Sequence, residues 1–116
     1  MQNAECLFCR IIRREVPGEF VYEDNEVLAF KDIYPLAPVH LLVVPRIHIQ
    51  SLNEAAPEHE KLLGQMLLVA KRLAAEFGVA ETGYRLVTNM GSDGGQVVGH
   101  LHFHLLGGKA LGTKIG

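Results

Sequence analysis

The chain lacks any run of lysine or arginine, and its acidic and basic side chains nearly balance, leaving a formal charge of −2. A nucleic-acid surface needs concentrated positive charge against the phosphate backbone, so binding to DNA or RNA is not expected. Also missing is any apolar stretch near the roughly eighteen residues of a membrane span. Around Gln2, Asn3 and Glu5 there is neither the basic flank nor the apolar core of a secretory signal. Together these absences imply a soluble, cytoplasmic protein without a membrane partner. Cysteine is scarce: Cys6 and Cys9 are the only two, too few and too close for a disulfide framework. No repeat or low-complexity segment is visible.

What remains fits one domain over residues 1–116, since 48% hydrophobic residues suffice for a modest core. Leu7 to Arg14 reads as a short helix, stopped by Val16-Pro17-Gly18 because proline disfavours helical geometry in the residue before it. Phe20 to Tyr22 and Val27 to Phe30 read as strands flanking a polar turn, Glu23 to Glu26. Val39 to Val44 is a third strand, apolar enough to be covered on both faces. The long helix runs from Pro57 to Phe77 before Gly78, with Leu62, Leu63, Met66, Leu67, Ala70, Leu73, Ala74 and Phe77 as its buried stripe. His59, between Glu58 and Glu60, reads as a solvated surface residue. Tyr84 to Thr88 is a fourth strand, and His100 to Leu106 a fifth after a glycine-rich loop. Strands joined mainly by short connections suggest an antiparallel sheet with helices on it, an α+β domain.

The fifth strand carries the chemistry. His100, His102 and His104 alternate with Leu101, Phe103 and Leu105. In a strand this puts all three imidazoles on one face, with the outer two roughly 13 Å apart, and buries the apolar residues behind them. One histidine on an apolar strand is ordinarily structural; three on one face point to function. They are too far apart end to end to share one tetrahedral ion. Just upstream, Gly91, Gly94 and Gly95 let main-chain N–H groups approach an anion, and Gln96 adds a side-chain amide. Cys6-x-x-Cys9 supplies half of a tetrahedral metal site, with two buried thiols or a redox pair as alternatives; no strand precedes Cys6, which speaks against the thioredoxin-like arrangement.

The run His100-Leu101-His102-Phe103-His104-Leu105-Leu106 resembles the His-φ-His-φ-His-φ-φ signature of the histidine-triad (HIT) superfamily of nucleotide hydrolases and transferases. The likeness extends to Cys6 to Pro17, to Ala29 to His40, and to Leu41 to Pro45 with His48. The ending Leu106-Gly107-Gly108 is similar to the Hint branch, the purine nucleoside phosphoramidases.

The resemblance implies a HIT-like α+β fold, a five-stranded antiparallel sheet with one long and one short helix, and a homodimer with a ten-stranded sheet. It implies hydrolysis of purine nucleoside phosphoramidates through a covalent nucleotidyl-histidine. His102 would be the nucleophile, His104 would donate to phosphate oxygens, and His40 would support it, with His100 completing the triad. Asp32 would hold the ribose hydroxyls, Asn89, Gly95 and Gln96 would lie near the phosphate, and Phe8, Ile11, Phe30 and Ile33 would line the base pocket. Cys6, Cys9, His48 and His100 would hold a structural zinc, with no cofactor required for catalysis. Hydrolysis of a dinucleoside polyphosphate is the enzymatic alternative. A zinc-stabilised nucleotide-binding interaction module with little catalysis is another. Two positions depart from the family pattern: Val97 stands where many eukaryotic members have serine, and Gly99 where an aromatic is common. The tail from Lys109 to Gly116 is shorter than in some bacterial relatives.

Overall fold

The computed structural model describes residues 6–116; Gln2, Asn3 and Glu5, read above as unlike a secretory signal, lie outside them. Helix α1 spans Leu7–Ile12, two residues less than the sequence suggests. Its end is a Schellman motif: Glu15 N–H donates to the Arg10 carbonyl at 2.8 Å and Arg14 N–H to the Ile11 carbonyl at 2.9 Å. Arg14 takes the left-handed φ of 61° that this motif requires. The chain then forms β1 (Phe20–Glu23) and β2 (Val27–Lys31). Asp24 ties the turn between them, its Oδ1 accepting from the N–H groups of Glu26 and Val27, each at 2.7 Å.

Strand β3 (Val39–Pro45) follows, then a short 3-10 turn, Pro57–His59, and helix α2 (Glu60–Glu76). The expected helix start at Pro57 is thus a tighter turn. His59 is half-buried rather than solvated, and its Nδ1 accepts from Ala56 N–H at 2.9 Å, capping that turn. Strands β4 (Tyr84–Val87) and β5 (Phe103–Gly107) complete a five-stranded sheet of order β1-β2-β3-β5-β4, antiparallel throughout.

The ladder of β5 begins only at Phe103, opposite Val43, so His100, Leu101 and His102 precede the strand rather than belong to it. Continued register would set Leu101 opposite Pro45, which has no N–H to give. Leu101 N–H turns instead to the Ile49 carbonyl at 2.6 Å, and His100 N–H to that of Val98 at 2.9 Å. The alternation of faces survives this break.

Helix α2 covers one face of the sheet. Leu62, Met66, Val69, Ala70, Leu73 and Ala74 pack there against Val27, Ala29, Leu41, Val43, Leu101 and Leu105. Leu63 and Phe77 are partly buried, but Leu67 is 45% exposed, because it is rotated by about 100° from fully buried Met66. Helix α1 covers part of the opposite face, where Phe8, Cys9 and Ile12 meet Leu28, Phe30, Leu42 and Val44. His40 lies on β3 in alternation with Leu42 and Val44, so it falls on the α1 side of the sheet.

Candidate active site and metal cluster

His40 on β3 and His104 on β5 are diagonal neighbours across the ladder, since Leu42 pairs with His104 and His40 with Leu106. His40 Nε2 lies 2.9 Å from His104 Nδ1 while the ring centroids are 5.2 Å apart, so the two nitrogens point nearly straight at each other. This is hydrogen-bond geometry. Asp32, His40 and His104 do place ligand atoms within 4.8 Å of one another. Nitrogens aimed head-on, however, cannot both aim at a common ion between them and the carboxylate.

The direction of this hydrogen bond follows from a main-chain group. Leu36 N–H donates to His40 Nδ1 at 3.1 Å, so that nitrogen must be bare and the proton of neutral His40 sits on Nε2. His40 Nε2–H therefore donates to His104 Nδ1, and His104 carries its own proton on Nε2. Burial keeps both rings neutral, lowering His40 and pushing His104 down to about 4. Asp32 Oδ2 stands 3.5 Å from His40 Nε2, and its Oδ1 accepts from Tyr34 N–H at 2.8 Å.

His102 is fixed in the opposite sense. Its Nδ1 is 2.7 Å from the carbonyl of His100, which can only accept, so the proton is on Nδ1 and the lone pair on Nε2. Burial lowers its pKa as well. Phe8 packs edge-on against the ring at 5.0 Å, and His104 lies 4.9 Å away on the other contact. The result is an unprotonated imidazole nitrogen with its partner proton anchored, an arrangement chemically able to attack an electrophile at neutral pH, beside a ring whose N–H can donate.

Cys6, Cys9, His48 and His100 converge at the start of α1, with donor atoms within 4.8 Å of one another. Cys6 Sγ is 3.3 Å from His100 Nδ1, and Cys9 Sγ is 3.3 Å from His48 Nδ1 and 3.6 Å from His100 Nδ1. Metal–sulfur bonds of about 2.3 Å and metal–nitrogen bonds of about 2.1 Å at tetrahedral angles require roughly 3.6 Å between donors, which these distances approach. His100 Nε2–H donates to the Pro45 carbonyl at 3.0 Å, leaving Nδ1 bare toward the sulfurs, as ligating histidines are usually oriented. Burial pushes His100 down to about 4, favouring the neutral ligand form. The cluster is therefore a possible Cys/His metal site with a donor set compatible with zinc.

The remaining expected site residues divide. Phe8 and Phe30 are buried and meet edge-on at 5.3 Å, and Ile11 packs beside them, whereas Ile33 is 76% exposed and outside that cluster. Asn89 Nδ2 donates to the Gly94 carbonyl at 2.7 Å. Gln96 Oε1 accepts from Gly91 N–H, and its Nε2 donates to the carbonyls of Gln50 and Val98. In this state both amides brace the glycine loop rather than reach outward. Gly95, at φ +80°, makes the left-handed turn that brings the loop back. At Gly99 a Cβ would stand 2.7 Å from the side-chain amide nitrogen of exposed Gln50, a flexible group that can swing away, so nothing in the structure requires glycine there. Val97 is 94% exposed. Two surface hollows of about 400 Å³ are lined by other residues, among them Arg46 and Glu58 in one, and Arg14 and Phe20 in the other. Chemistry rather than concavity locates the site.

The HIT domain profile matches residues 13–111. A purine nucleoside phosphoramidase of Escherichia coli (strain K12) is 51% identical over 111 residues, 96% of this chain and 93% of that protein. Protein HitA of Neisseria gonorrhoeae is 48% identical over 102 residues, covering 88% of this chain and 94% of its own. Among solved structures, a HIT family hydrolase from Clostridium thermocellum superposes with a TM-score of 0.95 at 46% identity, over 98% of this chain and 99% of that one. A histidine triad protein from Clostridium difficile gives 0.95 at 43% identity, over 99% and 100%. Profile, near full-length identity and a shared five-stranded sheet agree that the chain belongs to the HIT family.

Proposed function

We propose that this chain hydrolyses purine nucleoside phosphoramidates, releasing an amine and a nucleoside monophosphate. The observation that carries the proposal is the anchored tautomer of His102, with Nδ1–H on the His100 carbonyl at 2.7 Å and Nε2 bare. The name of the Escherichia coli relative supplies the substrate class. In the reaction, His102 Nε2 attacks the α-phosphorus, a P–N(His) bond forms, and the substrate's P–N bond breaks as its nitrogen takes up a proton and leaves as the amine. Water then attacks the same phosphorus, gives up a proton that balances the one the amine took, and frees His102. His104 Nε2–H donates to a phosphate oxygen, relieving the charge that builds there. Asp32 takes the ribose hydroxyls, with Phe8, Ile11, Phe30 and Ile33 toward the base and Asn89, Gly95 and Gln96 toward the phosphate.

The same reading includes zinc on Cys6, Cys9, His48 and His100, where it closes a loop between α1 and the residues around Pro45 and His100; such a metal stabilises the fold and touches no reacting atom. It also includes a homodimer. Strand β4 is an edge of the sheet, and Leu67 and Leu68 on α2 are 45% and 66% exposed, which a second copy covering edge and helix would bury. The decisive experiment is turnover of an AMP–amine phosphoramidate and of a dinucleoside polyphosphate, by the wild type and by His102→Ala. Faster turnover of the phosphoramidate, lost in the variant together with a trapped nucleotidyl-enzyme, is expected. Preference for the dinucleotide would move the chain to the other hydrolase class, and undiminished turnover by the variant would remove His102 as nucleophile.

A further inference from the structure

The Cys/His cluster and the nucleophile share a residue. His100 presents Nδ1 to the sulfurs of Cys6 and Cys9 at 3.3 and 3.6 Å, donates Nε2–H to the Pro45 carbonyl at 3.0 Å, and offers its own carbonyl to His102 Nδ1 at 2.7 Å. We infer that Cys6, Cys9 and His48 are positioning residues for catalysis: by closing on His100 they hold the carbonyl that selects the reactive tautomer of His102. The inference rests on the reading of His102 as the nucleophile.

Four observations carry it. Residues 100–102 precede β5, so among the described residues no ladder bond holds the His100 carbonyl; the backbone bonds beside it are those of His100 N–H to Val98 and Leu101 N–H to Ile49. Without the cluster, the His100 ring loses its contacts at Nδ1 and keeps the bond from Nε2 to the Pro45 carbonyl. Helix α1, at six residues, is too short to persist unaided, and it is Cys6 that starts it, Sγ accepting from Cys9 N–H at 3.3 Å. The same helix brings Phe8 edge-on against both His100, at 5.9 Å, and His102, at 5.0 Å. Finally, a neutral histidine in water prefers its proton on Nε2, the nitrogen that must be bare for attack. The bond to the His100 carbonyl reverses that preference, so displacing the carbonyl lowers the reactive fraction of His102.

The test separates tautomer from turnover. Nitrogen-15 NMR of the histidine side chains would be recorded for the zinc-loaded wild type, for the same protein after chelation, and for Cys6→Ser, with circular dichroism confirming the fold in each. The expected result is protonated Nδ1 on His102 in the loaded protein and a mixture weighted to protonated Nε2 in the other two. The kcat for the phosphoramidate should fall on the order of 10- to 100-fold, the scale for groups that orient a site from behind, a larger change than that in KM. Cys6→His, which restores a four-donor set, should recover both readouts when metal is added. A folded, metal-free protein that keeps Nδ1 protonated and kcat intact overturns the inference. Unfolding in both metal-free arms also overturns it, because the cluster then acts on folding alone. If the tautomer shifts while no form of the protein turns over phosphoramidate, the proposed activity fails and the positioning role stands.

Discussion

A neutral imidazole has one donor and one acceptor, and for three of the four histidines on β3 and in the 100–104 run a main-chain group decides which nitrogen is which. Leu36 N–H does so for His40, the Pro45 carbonyl for His100 and the His100 carbonyl for His102. Replacing His102 by alanine should therefore cost at least several hundredfold in kcat while AMP still binds, measured by steady-state kinetics and calorimetry. Asp32→Ala should weaken AMP by about 1–3 kcal/mol, the range for losing hydrogen bonds to a charged group, and leave inorganic phosphate unaffected. Equal losses for the two ligands would indicate general damage rather than a ribose contact. The side chains themselves were legible in the sequence, because alternate histidines and a Cys-x-x-Cys pair are visible as letters. Their partners were not. A carbonyl or an N–H belongs to every residue, so nothing in the sequence distinguishes Leu36 or Pro45 from its neighbours.

At the scale of elements, helix α2 shows what periodicity can and cannot give. The apolar repeat identified the helix and most of its buried stripe, yet it included Leu67 and omitted Val69, which is 7% exposed. The width of a stripe depends on what lies opposite, here Val27, Ala29, Leu41 and Val43 of the sheet, and that surface is assembled from distant sequence. Leu73, fully buried at its centre, gives a direct check. Leu73→Ala should destabilise the chain by roughly 2–5 kcal/mol in urea unfolding, the cost of lost transfer energy plus a cavity. The glycine loop is the counterpart. At Gly94 a Cβ would stand 2.2 Å from the Met90 carbonyl oxygen, so Gly94→Ala must open the turn that Asn89 and Gln96 brace. That variant should raise KM for the nucleotide more than it lowers the melting temperature; the reverse pattern would show the loop to be structural only.

The whole molecule should respond to acid through its buried and half-buried neutral histidines, among them the His40–His104 pair. His40 and His104 both titrate below the ordinary value of 6.5 in the folded chain, His104 at about 4, because burial disfavours the charged ring. Between about 4 and 6.5 the unfolded chain binds protons that the folded chain refuses. Stability is accordingly complete above pH 6.5 and falls as pH is lowered through that window. Melting curves of the wild type and of His104→Gln between pH 7.5 and 5 should converge toward the acid end, and parallel curves would contradict the assignment. On the same scale, light scattering should give a mass near twice 12.8 kDa if a second copy covers β4 and α2.

The strand order has a consequence for how the molecule comes to exist. Among the described strands β4 pairs only with β5, and β5 lies between β3 and β4, so the latest of the five in sequence is an interior one. During synthesis, at roughly 5–20 residues per second, β3 waits with one edge unpaired until residues 103–107 leave the ribosome. The pairing that then closes the sheet joins His40 to His104 across 64 positions and Cys6 to His100 across 94. Such distant contacts make folding slow relative to its size. A nascent chain halted anywhere before β5 carries an open, apolar β3 edge and no assembled triad. Activity is therefore switched on by a single late event rather than accumulated, and nascent chains short of it are the species most in need of a chaperone.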